Sequence, residues 1–266
     1  MSGPGPKFSY KSELVAFARR LGLLGIVDWV YGQRRVSEYA SANAAYQMQH
    51  PECRFPPAAL VQRTYGTPSF QSFREWGARN AKEIAEAIER HSTVDAPQVL
   101  EWGCGLGRLA VHLVDRYAYT GVDIDAGSVQ WCRDNLGGRF AINQPKPPLP
   151  FAAESFDVVF AVSIFTHLSE RAHLDWRDEM LRVLKPGGVF IFTVHGDEQS
   201  KELSPSERQR YDAGQIVVRG GVSEGSRTFL AYHPDPYVRE TLLEGYDVAE
   251  GPTPACGQTL YAGRKS

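Results

Sequence analysis

Three glycines at alternate positions stand out in Val99-Leu100-Glu101-Trp102-Gly103-Cys104-Gly105-Leu106-Gly107-Arg108-Leu109, between a short apolar run and the start of a helical pattern. Lacking β-carbons, such residues bend tightly and let a bulky ligand approach backbone amides at the carboxyl end of a strand. A dinucleotide fingerprint would put its third glycine three residues after the second, at position 108, where this chain has arginine. Glu101, two residues before the first glycine, would repel a pyrophosphate and suits a ligand carrying an ammonium group. About twenty residues on, Gly121-Val122-Asp123-Ile124-Asp125 ends a second apolar run. Asp123 there can accept both hydroxyl hydrogens of a ribose, while Asp125 is held in reserve because it could cap a helix beginning near Gly127-Ser128. Ile124 would form an apolar wall for an adenine. S-adenosylmethionine is an adenosine with an ammonium group and no phosphate, and the residues expected to hold it are Glu101, Gly103, Cys104, Gly105, Gly107, Asp123 and Ile124.

Histidines offer the complementary chemistry. His167 follows the fourth apolar run and His195 the fifth, so both belong to the rim where ligands bind. A neutral imidazole titrates at about 6.5 and can take a proton from a substrate hydroxyl. His167 also has a structural reading, orienting a loop or capping a helix in Thr166-His167-Leu168. His233 is a third candidate. A metal-assisted mechanism would need carboxylates at these strand ends, where Ser163 and His195 stand instead, so no metal is expected. Tyr31, Tyr39, Tyr46 and Tyr65 could line a lid over the site, although tyrosines are as often core or surface. Trp131 could approach the adenine, and Trp102 reads as packing.

The elements that must position these groups follow from periodicity. From Ser12 to about Gln49 apolar residues recur at three- and four-residue steps, and Phe73 to His91 reads as a further helix. After Pro97 short apolar strands (98–102, 119–123, 139–143, 156–162, 189–194) alternate with helices (107–116, 128–136, 169–184), which implies a parallel sheet covered on both faces. Asp157, inside the fourth strand, reads as structural, and Leu184-Lys185-Pro186-Gly187-Gly188 as a helix stop and turn. Beyond His195 come a polar stretch, two short strands, a helix at 236–244 and two last strands. The expected organisation is an N-terminal helical extension or lid over residues 1–92, then a ligand-binding domain over 93–266 with a substrate-cap insertion at 197–235.

Composition excludes several classes. The 29 basic and 31 acidic residues nearly cancel, which gives no reason to expect nucleic acid as a partner. Cys53, Cys104, Cys132 and Cys256 are widely spaced and fit neither a disulfide framework nor a zinc site. The start lacks the pattern of a secretory signal, and the apolar stretch Leu21 to Tyr31 is too short for a span and contains Asp28. A cytoplasmic protein with reduced thiols and a small-molecule partner is expected.

Between Gln98 and Val194 the sequence resembles the class I, Rossmann-like S-adenosylmethionine-dependent methyltransferases, especially their bacterial small-molecule branch. The likeness rests on the glycine loop, Gly121-Val122-Asp123, Pro148-Leu149-Pro150-Phe151, Ser155-Phe156-Asp157-Val158-Val159, the stretch from Ser163 to Leu168, and Leu184 to Gly188, in that order. It implies a doubly wound α/β fold with a mostly parallel seven-stranded sheet whose last strand is antiparallel. It also implies in-line transfer of a methyl group from S-adenosylmethionine, leaving S-adenosylhomocysteine. Ser163 and Asn143 join the cofactor set on this ground. Asn143, or its neighbour Gln144, stands where the family commonly has an aspartate near the adenine amine, and an amide oxygen can accept the same hydrogen bond. The expected reaction is O-methylation of a natural product or sugar, with His195 or His167 as base. N- or C-methylation, a non-catalytic S-adenosylmethionine-binding protein and an NAD(P)-dependent oxidoreductase are the rival readings.

Overall fold

Successive residues of a strand face opposite sides, so a strand covered on both faces is apolar throughout. The central residues of β1 (Gln98–Trp102), β4 (Phe156–Ala161) and β5 (Leu184–Val194) follow this rule in the computed structural model, which describes residues 24–266, while Glu101, Asp157 and Lys185 depart from it. Leu100, Val159, Phe190 and Phe192 point to one face, where they pack with Phe165, Trp176 and Met180. Val99, Val158, Phe160 and Ile191 point to the other, against Ile84, Ile88 and Leu113. Each such side chain contributes roughly 1.5–3 kcal/mol on burial. These two layers are the reason the sheet is rigid enough to hold a site at its edge.

The remaining strands are β2 (Ala118–Asp123), β3 (Arg139–Ile142), β6 (Val217–Arg219), β7 (Leu230–Tyr232), β8 (Tyr246–Ala255) and β9 (Gln258–Lys265). Seven of the nine described strands form one sheet in the order β3-β2-β1-β4-β5-β9-β8, while β6 and β7 pair as a separate antiparallel ribbon. β9 runs antiparallel to β5 and β8, and the pairs from β3 to β5 are parallel. The expected seven-stranded sheet with an antiparallel last strand is therefore present. Its order reverses between β1 and β4, which opens a crevice at the carboxyl ends of the strands.

Helices flank the sheet as the periodicity predicts, with differences in length. In front lie α1 (Leu24–Gln49), α2 (Ala58–Tyr65) and α3 (Phe70–His91). The part of the expected first helices from Ser12 to residue 23 lies outside the described residues. The helix expected over 107–116 shrinks to α4 (Ala110–Leu113), because the glycine loop with Gly105 and Gly107 at positive φ runs on into it. α5 (Ala126–Asn135) and α6 (Glu170–Val183) complete the main layers. Both begin on side-chain caps, Asp125 accepting from the Ser128 amide and Ser169 from the Ala172 amide. Two short helices, α7 (Asp197–Ser200) and α8 (Pro205–Asp212), lie in the insertion before β6.

Asp157 holds the opposite end of the sheet together. Its carboxylate accepts from the Gln98 amide at 2.8 Å and from the Lys185 ammonium at 2.8 and 2.9 Å, so it joins the starts of three elements. Asp157→Ala is expected to lower stability by about 0.5–1.5 kcal/mol through loss of the hydrogen bond to the Gln98 amide, since exposed Gln98 and half-exposed Lys185 can both return to water. Urea unfolding measures this, and an unchanged midpoint would contradict it.

Candidate active site

The glycine loop is held from both sides. The Val122 carbonyl accepts from the Gly103 and Cys104 amides at 2.8 and 2.9 Å, and the Asp123 carboxylate accepts from the Gly105 amide at 2.8 Å. From the front segment, the Tyr65 hydroxyl accepts from the Leu106 amide at 3.2 Å, and Arg108 lies over the Tyr65 ring at 4.7 Å. Leu106 packs with Val61 and Phe73 of α2 and α3. Tyr65, a candidate for the lid, thus braces the back of the loop. Gly103, Gly105 and Gly107 all have positive φ, the left-handed region that glycine alone enters without strain.

A cleft enclosing about 610 Å³, its open mouth included, lies at the crevice between β1 and β4. Its walls include Trp102, Gly103, Asp123, Ile124, Asn143 and His167. Five of the eleven residues singled out in the sequence as cofactor-binding or catalytic therefore meet there: Gly103, Asp123, Ile124, Asn143 and His167. Ile124 presents 45% of its surface, and the Asn143 side chain is buried with its amide oxygen lacking any hydrogen-bond partner among the described residues. The Asn143 amide nitrogen donates to the Gln144 carbonyl at 2.8 Å, which fixes which end of the side chain is left over. Asp125 caps α5 and pairs with Arg63 at 2.7 Å.

The other six stand behind the wall. Glu101 is buried, and its carboxylate accepts from the Tyr119 hydroxyl. Burial pushes this carboxyl up to about 8, against the opposing pull of the Tyr119 hydrogen bond and the Arg108 charge. Cys104, Gly105 and Gly107 form the turn, with the thiols of Cys104 and Cys132 resting on the Gly105 carbonyl at 3.8 and 3.5 Å. Ser163 is engaged on the protein side: its hydroxyl accepts from Gln258 at 2.8 Å and shares a hydrogen with Thr166 at 3.0 Å. Its neighbour Ile164 lines the cleft instead. His195 is largely buried, with its Nδ1 lacking a partner among the described residues.

His167 is the imidazole in the cleft wall. Its Nδ1 donates to the Phe229 carbonyl at 2.8 Å, which selects the tautomer whose Nε2 carries a lone pair. Burial holds its pKa below the usual histidine value. His195, 6.5 Å away between ring centroids, is depressed to about 4 by burial and then by repulsion from His167.

Sequence reasoning missed Glu224, Gly225, Ile164 and Trp176 as cleft residues. Glu224 and Gly225 come from the loop before β7, which is fastened over the cleft by the Gly225 amide donating to the His167 carbonyl at 2.8 Å. The Glu224 carboxylate accepts from the Ser169 amide. Nothing in Gly220-Gly221-Val222-Ser223-Glu224-Gly225-Ser226 signals this; the expectation of a cap at 197–235 was the available hint. The cleft is thus lined by two carboxylates, Asp123 and Glu224, and by no cation.

Four histidines surround this region. His173 Nδ1 donates to the Ser169 carbonyl at 2.5 Å, so its Nε2 accepts from His233 Nε2, 2.8 Å away. Both rings are buried and neutral: burial depresses His173 to about 4 and His233 well below the ordinary value. With His195 and His167, four imidazoles bind fewer protons folded than unfolded below about pH 6.5, and stability falls as pH drops through that range. Glu101, raised to about 8, acts in the opposite sense, stabilising the fold as pH falls from 8 toward the ordinary carboxyl range. A stability maximum near about pH 6.5 is expected, with thermal unfolding temperature declining by several degrees toward pH 5. A flat profile between 6.5 and 5 would contradict neutral buried histidines.

Residues 100–192 match a family described as "Methyltransferase domain". Among curated proteins, the chain is 37% identical over 144 residues to the malonyl-[acyl-carrier protein] O-methyltransferase of Geobacter sulfurreducens, covering 51% of each chain. It is 35% identical over 120 residues to the fatty-acid O-methyltransferase of Mycolicibacterium smegmatis, covering 43% of each. The matched region thus spans about half the length of these curated relatives. Among solved structures, the Streptomyces venezuelae DesVI crystal structure aligns with TM-score 0.56 and 14% identity, covering 80% of this chain and all of that one, which is a likeness of fold. The strand order, the glycine loop and the family match agree: residues 100–192 carry a methyltransferase domain within a Rossmann-like, mostly parallel seven-stranded sheet.

Proposed function

We propose that the protein transfers a methyl group from S-adenosylmethionine to a hydroxyl of a small-molecule acceptor, with His167 as general base. The observation that carries this reading is the cleft itself: Asp123, Ile124 and Asn143 at one wall, and an imidazole with a free Nε2 lone pair at another.

The residues fit the cofactor. The orphaned Asn143 oxygen is an acceptor awaiting a donor such as the adenine amine, and burial without a donor costs roughly 1–3 kcal/mol. Asp123 keeps lone pairs for ribose hydroxyls beyond those used by the Gly105 and Asp125 amides. Glu101, desolvated just behind the loop, favours a ligand that brings positive charge. When bound, the cofactor supplies a sulfonium-activated methyl group. The chain's own work is to hold the acceptor oxygen in line with that methyl and to exclude water, which can account for much of the rate. His167 Nε2 receives the hydroxyl proton, and its lowered pKa keeps it unprotonated at neutral pH.

The two curated relatives are named as O-methyltransferases, which supports an oxygen acceptor. Asp123 and Glu224, with no cation among the lining residues, favour a neutral hydroxyl over a carboxylate. The 197–235 insertion serves as the acceptor cap, supported by Glu224 and Gly225 reaching the cleft, while the described front helices, none of whose residues lines the cleft, brace the glycine loop from behind. Metabolite extracts incubated with methyl-labelled S-adenosylmethionine are expected to yield a labelled methyl ether. Label found only on nitrogen or carbon would overturn the hydroxyl assignment.

A further inference from the structure

One loop grips His167 at two points. Gly225 and Phe229 both belong to the segment joining β6 to β7. The Gly225 amide donates to the His167 carbonyl at 2.8 Å, and the Phe229 carbonyl accepts from His167 Nδ1 at 2.8 Å. Between these grips the loop folds into two tight turns, the Ser226 amide donating to the Ser223 carbonyl at 3.2 Å and the Phe229 amide to the Ser226 carbonyl at 2.9 Å. A displacement of residue 227 is therefore passed to both grips. The loop has little stiffness of its own, because it contains Gly220, Gly221 and Gly225, the last two at positive φ. Glycine gives up more conformational entropy than any other residue when ordered, so the loop needs an anchor outside itself.

Arg227 supplies one. Its guanidinium pairs with Asp28 of α1, 199 residues away. The two side chains are only 14% and 23% exposed, so salt and water screen the pair less than a surface ion pair. A β-carbon on Gly66 would stand 3.3 Å from Arg227 Nη1, which puts the guanidinium against the turn that closes α2. Arg227 thus ties the loop to two front helices at a point midway between its grips on His167. Its charge also reaches the ring: burial first, and then Arg227, lower the His167 pKa against the opposing pull of the Phe229 hydrogen bond. The strands packed on the turn that carries His167 are β5 and β7. They bring His195 and Tyr232, whose rings lie 5.5 Å apart, and Asp123 and Glu224 line the same cleft. Among these groups Arg227 alone is cationic at neutral pH.

We propose that Arg227 is a positioning residue for His167: anchored on Asp28, it holds loop residues 225–229 so that the ring keeps its Nδ1 proton on Phe229 and its Nε2 as the free acceptor. The inference rests on the reading of His167 as general base and deepens it.

The test is nitrogen-15 NMR of the histidine rings in the full chain, with the His167 signals identified by their absence from His167→Gln. At about pH 7.5 the parent ring is expected as the Nδ1-protonated tautomer. In Arg227→Gln, and independently in Asp28→Ala, the ratio of tautomers should move at least about fivefold toward the Nε2-protonated form, the scale of one weakened hydrogen bond. The pH at which His167 takes up a proton should rise by about 0.5 or more in Arg227→Gln, since a nearby cation is removed, and by less in Asp28→Ala, which keeps that cation. Arg227→Lys, which retains the charge near Asp28, should restore the greater part of both changes. An unchanged tautomer ratio in both Arg227→Gln and Asp28→Ala would overturn the proposal and leave His167 as the base. A change seen only together with a loss of about tenfold or more in S-adenosylmethionine affinity would also overturn it, making Arg227 a brace for the whole front of the molecule. A shifted ratio with labelled methyl transfer at the parental rate would uphold the positioning role and remove His167 as the base.

Discussion

Gly103→Ala is expected to weaken S-adenosylmethionine binding by at least about 100-fold, equivalent to about 3 kcal/mol, while leaving the sheet intact. Two effects act together. Gly103 has φ of 83°, where a side chain costs on the order of 1–2 kcal/mol. An added Cβ would also stand 2.0 Å from Ile164 Cδ1 and 2.6 Å from its Cγ1. The Ile164 chain can rotate away, but Ile164 and Gly103 both line the cleft, so relief of the clash takes space from the ligand. If the loop moves instead, the Gly103 and Cys104 amides leave the Val122 carbonyl. Calorimetric titration measures the loss. Combining the change with Ile164→Ala should recover the steric part and leave the backbone part, and no recovery at all would show that the clash contributes nothing.

His167→Ala is expected to lower the rate of methyl transfer by about 10²- to 10⁴-fold, the usual contribution of a general base, with little change in S-adenosylmethionine affinity. The assignment depends on geometry before titration. His167 lies in the cleft wall with Nδ1 committed to Phe229, whereas His195, held to about 4, does not line the cleft. His195→Ala should therefore cost less in rate than His167→Ala. Because burial holds the His167 pKa below its ordinary value, the acid limb of the parent enzyme's pH profile should fall below about 6.5. A His167→Ala enzyme with parental rate and the same acid limb would remove the base from the mechanism.

Much of this architecture was legible in the sequence because it rests on repeating rules. The apolar runs of β1, β4 and β5 read as buried strands since both faces of the sheet are covered. Gly103, Asp123 and Ile124 read as ligand residues since the first strand-to-helix turn and the end of the second strand are where such a fold binds. What escaped was long-range. Tyr65 and Arg63 meet the glycine loop and Asp125 from over forty residues away, and Glu224 reaches the cleft on a loop with no periodicity. Ser163 shows the limit at single residues: its position at the rim was readable, but its engagement with Gln258, 95 residues on, was not. The contrast between His167 and His195 also depended on which ring lines the cleft, which follows from how the insertion packs.

The central claim is that the glycine loop and its cleft are built for S-adenosylmethionine. Calorimetric titration of the purified chain with S-adenosylmethionine and, separately, with NAD tests it most directly. At least about 100-fold tighter binding of S-adenosylmethionine is expected, a difference of about 3 kcal/mol. Binding of NAD as tight as or tighter than that of S-adenosylmethionine would contradict the account.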